Sequence, residues 1–185
     1  MPLSSYPAIY IISGHFLNTT AITQHAGDLS TSRSLITMIT IRTAKLSDIS
    51  QLVELLRELF TIEADFDFDQ EKQERGLNLL LNSEKDCVLV AQLLNGNKVL
   101  GMCSIQTLIS TAEGGPVGLL EDLIVAADFR HQGIGAKLLA EAVNWAECQG
   151  LKRLQLLADK NNLPALNFYQ KKGWESTQLV CLRKH

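Results

Sequence analysis

The stretch from Val117 to Gln149 constrains this chain more than any other. Val117 to Val125 is an apolar run that reads as a strand, Ala126 to Gln132 is a connection, and Gly133-Ile134-Gly135 opens a helix reaching about Gln149. Ile134, Leu138, Ala142, Trp145 and Ala146 share one face of that helix, which must therefore cover a sheet. A helix N-terminus has unpaired N–H groups and a partial positive charge, so it suits an anion. Gly133 and Gly135 lack side chains that would keep a phosphate away, Arg130 adds a charge able to hold one through paired hydrogen bonds, and Lys137 lies one turn further in. The competing reading is that the glycines only tighten a strand-to-helix turn.

Other elements follow by the same logic. Met38 to Thr43 alternates as a short strand, Ser47 can cap a helix, and Asp48 complements its dipole. Ile49, Leu52, Val53, Leu56, Leu59 and Phe60 then repeat at helical spacing. An acid-rich connection, Glu63 to Glu74, leads into a second helix ending near Leu81. Asp86 to Leu93 and Lys98 to Ile109 read as strands joined by Asn95-Gly96-Asn97, residues that tolerate positive φ. Thr111 to Pro116 is a loop, and Gly150 is placed to end the glycine-loop helix. Arg153 to Ala158 resembles a strand buried on both faces, Asn162 to Lys172 a short helix stopped by Gly173, and Trp174 to Arg183 a last strand or strand pair. The order β-α-α-β-β-β-α-β-α-β predicts an α/β domain with a mixed central sheet over residues 38–185.

Residues 1–37 differ in kind: rich in Ser and Thr, with Asp28 and Arg33 their only formal charges. No basic region precedes Ala8 to Ile12, as a secretory signal requires, and one arginine is few for a mitochondrial presequence. The expectation is a disordered tail, or an upstream extension ahead of a true start at Met38. A net charge of -3 gives no reason to expect a nucleic-acid partner. No apolar run approaches the ~20 residues that span a bilayer, so a cytoplasmic protein without a membrane partner is expected. Cys87, Cys103, Cys148 and Cys181 lack zinc-ligand spacing; no metal is expected, and all four are expected to be reduced and buried.

Two nucleotide folds compete for the glycine loop. Asp159 lies 26 residues after Gly133, near where a ribose-binding acid of a dinucleotide fold could stand. That fold wants its first glycine directly after the strand, yet seven residues separate Val125 from Gly133, and Leu138 stands where a third glycine belongs. No G-x-x-x-x-G-K-[ST] occurs either.

Val125-Ala-Ala-Asp-Phe-Arg130-His-Gln-Gly133-Ile-Gly135-Ala-Lys-Leu-Leu resembles the pattern V-x-x-x-[FY]-R-x-x-G-[IV]-G-x-x-L-L of the GNAT superfamily, the Gcn5-related N-acetyltransferases. Asn162-Leu-Pro-Ala165-Leu-Asn-Phe-Tyr169-Gln-Lys-Lys-Gly173-Trp174 resembles that family's N-x-x-A-x-x-x-Y-x-x-x-G-[FW] segment. The resemblance runs from about Met38 to the C-terminus. It implies the acyl-CoA N-acyltransferase fold, in which a parallel strand pair splays apart, flanked by helices, and admits the pantetheine arm of acetyl-CoA. Leu119 to Val125 would form one side of the gap and Arg153 to Ala158 the other. Main-chain groups of Leu123 and Val125 would pair with the pantetheine, and an N–H near Leu123 would polarise the thioester carbonyl. N–H groups of His131, Gln132, Gly133, Ile134, Gly135 and Ala136 would hold the pyrophosphate beside Arg130, and Asn162 would hold the thioester end.

The resemblance also implies acetyl transfer to an amine. Glu121 is the candidate base, acting through water; Asp122 is adjacent, but strand alternation should turn it to the opposite face unless a bulge intervenes. Tyr169 is the candidate acid toward the departing thiolate. The contrary reading makes both acids ordinary strand charges, and Tyr169 a packed aromatic with Phe168 in the core. Glu63, Asp65, Asp67, Asp69 and Glu71 lie where the family's acceptor site is often bordered, so a cationic amine, a polycation or aminoglycoside, fits; a solvated acidic loop is the alternative. Protein lysines or N-termini stay open as acceptors, and a homodimer is one assembly such a chain could form. Two other functions are weighed: a catalytically silent acyl-CoA-binding regulator, which would usually lose the acid and base, and a nicotinamide-dependent oxidoreductase.

Overall fold

The computed structural model describes residues 39–62 and 67–184, so the reading of residues 1–37, and of Glu63 and Asp65, lies outside the described residues. One sheet of five strands runs through the domain in the order β1 (Ile39–Thr43), β2 (Cys87–Leu93), β3 (Val99–Ser110), β4 (Gly115–Val125), β5 (Leu154–Leu156). The first three pairings are antiparallel, and β4 with β5 is parallel. Helices α1 (Ile49–Ile62) and α2 (Gln70–Leu81) cover one face; α3 (Ile134–Cys148) and α4 (Leu163–Lys171) cover the other.

Strand alternation feeds the two cores. Met102 and Ile124 join Leu52, Leu56 and Leu59 beneath α1, while Cys103, Leu123 and Val125 join Ile134, Leu138 and Tyr169 beneath α3 and α4. Each fully buried Leu or Ile removes side-chain area from water worth about 1.5–3 kcal/mol. Leu52, Leu59, Leu100, Leu123 and Leu138 are all 0–1% exposed, so this burial dominates the stability of both layers.

Several expectations change. Ser47 is not the cap of α1: a 3-10 turn, Leu46–Asp48, leads into the helix, and buried Asp48 accepts the Lys45 N–H at 2.7 Å while Arg42 grips both its oxygens. The β2–β3 hairpin forms, but neither Gly96 nor its asparagines has positive φ; the wider loop closes through Leu93 N–H to Lys98 C=O and Gly96 N–H to Leu93 C=O. The strand expected over Arg153 to Ala158 is only Leu154–Leu156, half-buried at the sheet edge rather than covered on both faces. Trp174 to Arg183 forms no strand, and its Leu179, Val180 and Leu182 are exposed. Cys87 and Cys103 are free and buried as expected, whereas Cys148 and Cys181 are exposed. No helix among the described residues is long and apolar enough to cross a membrane.

Candidate active site

The site begins where β4 and β5 part. Their pairing covers Gly118 with Leu154, Leu119 with Gln155 and Leu120 with Leu156, while β4 continues alone to Val125. A gap therefore opens along the last five residues of β4.

The side of β4 that faces this gap is set by a bulge. Cys103 pairs with Leu123 but Ile105 with Leu120, so Glu121 and Asp122 together oppose Ser104. Before the bulge, Gly118 N–H donates to Arg153 C=O, so the main-chain groups of Gly118 and Leu120 point toward β5. After it, Ala126 N–H donates to Leu100 C=O, which turns Ala126 and Ile124 toward β3 and leaves Leu123 and Val125 pointing into the gap. The two residues expected to meet the pantetheine are thus the two whose main chains β3 does not use.

The same bulge corrects the facing of the acid pair. Leu120 and Leu123, three apart, enter one core with Cys103 and Ile105. Glu121 and Asp122 both emerge on the α1–α2 face instead: Gln106 donates its amide to Glu121, and Ser104 Oγ donates to Asp122 Oδ2 at 2.7 Å. Asp122 does not take the opposite face, because the extra residue resets the alternation. Burial, then the neighbouring Asp122 charge, push the Glu121 carboxyl up, opposed by Gln106 and by Arg183 of the C-terminal segment. Burial also raises Asp122, opposed by the Ser104 hydrogen bond.

On the other face stands Tyr169, 3% exposed. Its hydroxyl has no hydrogen-bond partner, and burial followed by the nearby Cys103 thiol holds its pKa well above the ordinary phenol value. Cys103 pairs opposite Leu123, and Tyr169 packs in the same core as both. Phe168, the other candidate for the core, is only partly buried. Asn162 caps α4 by accepting the Ala165 N–H at 3.1 Å, while its buried Nδ2 has no partner. A buried, unpaired donor costs about 1–3 kcal/mol, and helix α4 carries two such groups, at its N-cap and on its buried face.

From Val125 the gap leads to the glycine loop. Gly133, at φ 79°, is the N-cap of α3, a backbone conformation that L-residues rarely adopt. Its missing side chain is required by that conformation rather than by crowding, since a Cβ would meet nothing within 4 Å. His131 also has positive φ, 60°. Gln132 turns its amide back onto Asp128 C=O at 3.4 Å. Arg130 is held by Glu58 of α1 and donates from Nε to Val125 C=O at 2.8 Å. A cleft of about 480 Å³ lies between this loop, including His131, Gly133, Ile134, Gly135 and Ala136, and helix α4. Its far wall is Leu163, Asn167, Phe168 and Lys171, of which only the motif's outline was visible beforehand. The spacing of 163, 167 and 171 on one helical face was the signal that could have found them. Among the described residues, no group of three or more His, Cys, Asp or Glu side chains could hold a metal.

An antiparallel sheet with one splayed parallel pair, a loop opening a helix beside the splay, and an acid–phenol pair on opposite faces define an acyltransferase-type α/β domain. The family model for the acetyltransferase (GNAT) family matches residues 49–174, and the chain belongs to that family. An uncharacterised N-acetyltransferase of Methanocaldococcus jannaschii is 26% identical over 148 residues, 80% of this chain and 65% of the relative, so the chain spans a little under two thirds of that protein. An aminoglycoside acetyltransferase from an uncultured soil metagenomic sample, solved in complex with sisomicin, superposes with a TM-score of 0.67 at 25% identity, covering 80% of this chain and 97% of that one. A predicted acetyltransferase of Clostridium acetobutylicum, solved with acetyl-CoA, gives a TM-score of 0.66 at 24% identity over 79% of this chain and 96% of its own.

Proposed function

We propose that this protein transfers the acetyl group of acetyl-CoA to a primary amine by direct attack. The carrying observation is the bulge-directed gap: past the bulge the main chains of Leu123 and Val125 turn away from β3 toward it, the Val125 C=O being held by Arg130 Nε, and it runs into the glycine-loop cleft. Those strand groups suit the amides of a pantetheine arm, and the N–H groups at the start of α3 suit its pyrophosphate. The unpaired Asn162 Nδ2 and Tyr169 hydroxyl suit the thioester end.

In the reaction an ammonium substrate first loses a proton to Glu121, directly or through one water, and Glu121 passes that proton to solvent and returns to its carboxylate form before the attack. The neutral nitrogen forms a bond to the thioester carbon, with an N–H near Leu123 polarising the carbonyl oxygen. The C–S bond then breaks, the amide nitrogen sheds its extra proton to the base, and Tyr169 protonates the departing thiolate. A carboxyl raised by burial is a better base than an ordinary one, and burial keeps the Tyr169 phenol protonated, so its proton is in place when the thiolate departs.

The acceptor reading is a cationic amine, of a small molecule or a protein. The Glu121–Asp122 pair supplies negative charge on the α1–α2 face, and the soil relative's complex with an aminoglycoside points the same way. Of the acid run, Asp69 is already engaged, accepting the Lys72 N–H at the start of α2. A silent regulator would have no use for a buried, unpartnered phenol opposite a raised carboxyl. A dinucleotide oxidoreductase is disfavoured by the antiparallel order of β1 to β4. Calorimetric titration with acetyl-CoA and with NAD, followed by an amine panel read by CoA release, tests this. Binding of acetyl-CoA with amine-dependent CoA release is expected; no binding of acetyl-CoA would refute the reading.

A further inference from the structure

The connection between β4 and α3 contains a conformation that needs support. His131 sits at φ 60° without being glycine, and Gly133 follows at φ 79°. A non-glycine residue in the left-handed region costs about 1–2 kcal/mol, and such geometry persists only where the surroundings over-determine it. Within the loop, Phe129 N–H donates to Ala126 C=O at 2.9 Å, Arg130 N–H to Ala127 C=O at 3.3 Å, and the Gln132 amide to Asp128 C=O at 3.4 Å.

Support also comes from the opposite layer. Glu58, on α1, accepts both the Arg130 guanidinium and the Ala127 N–H, the latter at 3.1 Å. Arg130 Nε in turn donates to Val125 C=O at 2.8 Å. One carboxylate therefore ties the end of β4, the first turn of the connection and the arginine of the loop into a single closed network. The Arg130 side chain is 17% exposed, and its charge is already balanced by Glu58.

We propose that Glu58 is a positioning residue for the acyl donor, and that Arg130 acts as its partner in bracing the loop rather than as a phosphate ligand. This rests on the acetyl-CoA reading above. The donor phosphates would then be met by main-chain N–H groups whose directions the brace fixes, with Lys171 on the far wall of the cleft. The brace also links the donor loop to α1, the helix that leads into the acid-rich connection on the acceptor side.

The two roles of Arg130 predict opposite signs. If Glu58 merely competed with phosphate for the guanidinium, Glu58→Ala would release Arg130 and CoA would bind more tightly. If it positions the loop, Glu58→Ala weakens CoA, by about ten- to a hundredfold for a misplacement of this kind. The experiment is calorimetric titration of CoA into wild type, Glu58→Ala, Glu58→Gln, Arg130→Met and the Glu58→Ala/Arg130→Met double variant, with amide hydrogen exchange over residues 126–136. Glu54→Gln, in the exposed pair with Arg57 one turn away, is the control. Weaker binding in Glu58→Ala, partial recovery in Glu58→Gln (which keeps an oxygen for the Ala127 N–H), faster loop exchange, and a double variant no worse than Arg130→Met are expected. In turnover, the KM for acetyl-CoA should rise far more than kcat falls. Tighter or unchanged binding in Glu58→Ala overturns the inference while leaving the function intact, and additive losses in the double variant overturn it as well. Wild type failing to bind CoA overturns the function itself, and this inference with it. Should Glu58→Ala not fold, Glu58→Gln carries the same test.

Discussion

The Ser104 hydroxyl holds Asp122 at two points, donating to Oδ2 at 2.7 Å and accepting the Asp122 N–H at 3.0 Å. Glu121 is tied through its side chain to Gln106 instead. Ser104 is fully buried, so its bonds pin Asp122 inside the bulge, and in the proposed reaction Glu121 is the member of the pair that takes the substrate proton. Glu121→Gln should therefore lower kcat by about a hundredfold or more, the usual worth of a positioned base. Because burial and the Asp122 charge raise the Glu121 carboxyl, kcat/KM should fall as pH drops through a value above the ordinary glutamate range. Asp122→Asn removes one of those causes, so the acid limb should move to lower pH with activity retained. A dead Asp122→Asn beside an active Glu121→Gln would reverse the roles.

Tyr169→Phe separates catalysis from folding with little ambiguity. The hydroxyl is buried without a partner, so removing it deletes an unmet hydrogen-bonding group and keeps the ring that packs with Trp174 at 6.0 Å. Thermal stability should hold or rise, CoA affinity should stay close to wild type, and kcat should drop by about a hundredfold. Single-turnover measurements with a poorer thiol leaving group would show a larger defect than with a better one. Unchanged turnover would remove Tyr169 from the acid role.

Much of this was legible because it depends on local chemistry. Gly133 and Gly150 stand where helix α3 begins and ends, both at positive φ, and Asn162 caps α4 as a side chain of that type can. The bulge was not legible: no glycine marks it, and it shows only as a change of partner between Cys103 and Ile105. Without it, parity puts Asp122 on the wrong face and turns even-numbered residues of β4 into the gap. The ion pair of Arg130 was hidden for a related reason. Its partner, Glu58, stands 72 positions earlier in the chain, and no local pattern carries that distance. The short β5 lies at the sheet edge, a position that an apolar run alone does not reveal.

Two acids should respond to pH in opposite senses. Asp48 is held below the usual carboxylate range, chiefly by hydrogen bonds from Arg42, so its contribution is present above the unfolded value and lost as pH falls through the folded one. Asp48→Ala should cost about 2 kcal/mol near neutral pH, less than a fully buried pair because the Arg42 side chain is a quarter exposed, and the difference from wild type should shrink in acid. Glu121 is raised, so its contribution is present below the unfolded value and lost as pH rises through the folded one. Glu121→Gln should accordingly be more stable than wild type at neutral pH and lose that advantage in acid. Urea denaturation at both pH values checks the pair; a Glu121→Gln protein less stable than wild type at neutral pH would contradict the burial argument.

The two loop glycines should fail in different ways when changed to alanine. Gly133 needs its positive φ, and open space around it offers no steric reason for the residue, so Gly133→Ala pays about 1–2 kcal/mol of backbone strain. Melting temperature should fall, Gly133→Asn should fall less because asparagine tolerates the left-handed region, and the donor KM should rise as the loop shifts. Gly135 is the second residue of α3 and lines the cleft, so its backbone is already helical. Alanine there should favour the helix by up to about 1 kcal/mol, while a methyl group in the cleft keeps a phosphate from the N–H groups behind it. Gly135→Ala should thus hold or gain thermal stability and still lose CoA affinity. Calorimetry with CoA alongside thermal melts distinguishes the cases, and a Gly135→Ala protein that binds CoA as tightly as wild type would mean that the phosphates do not approach the start of α3.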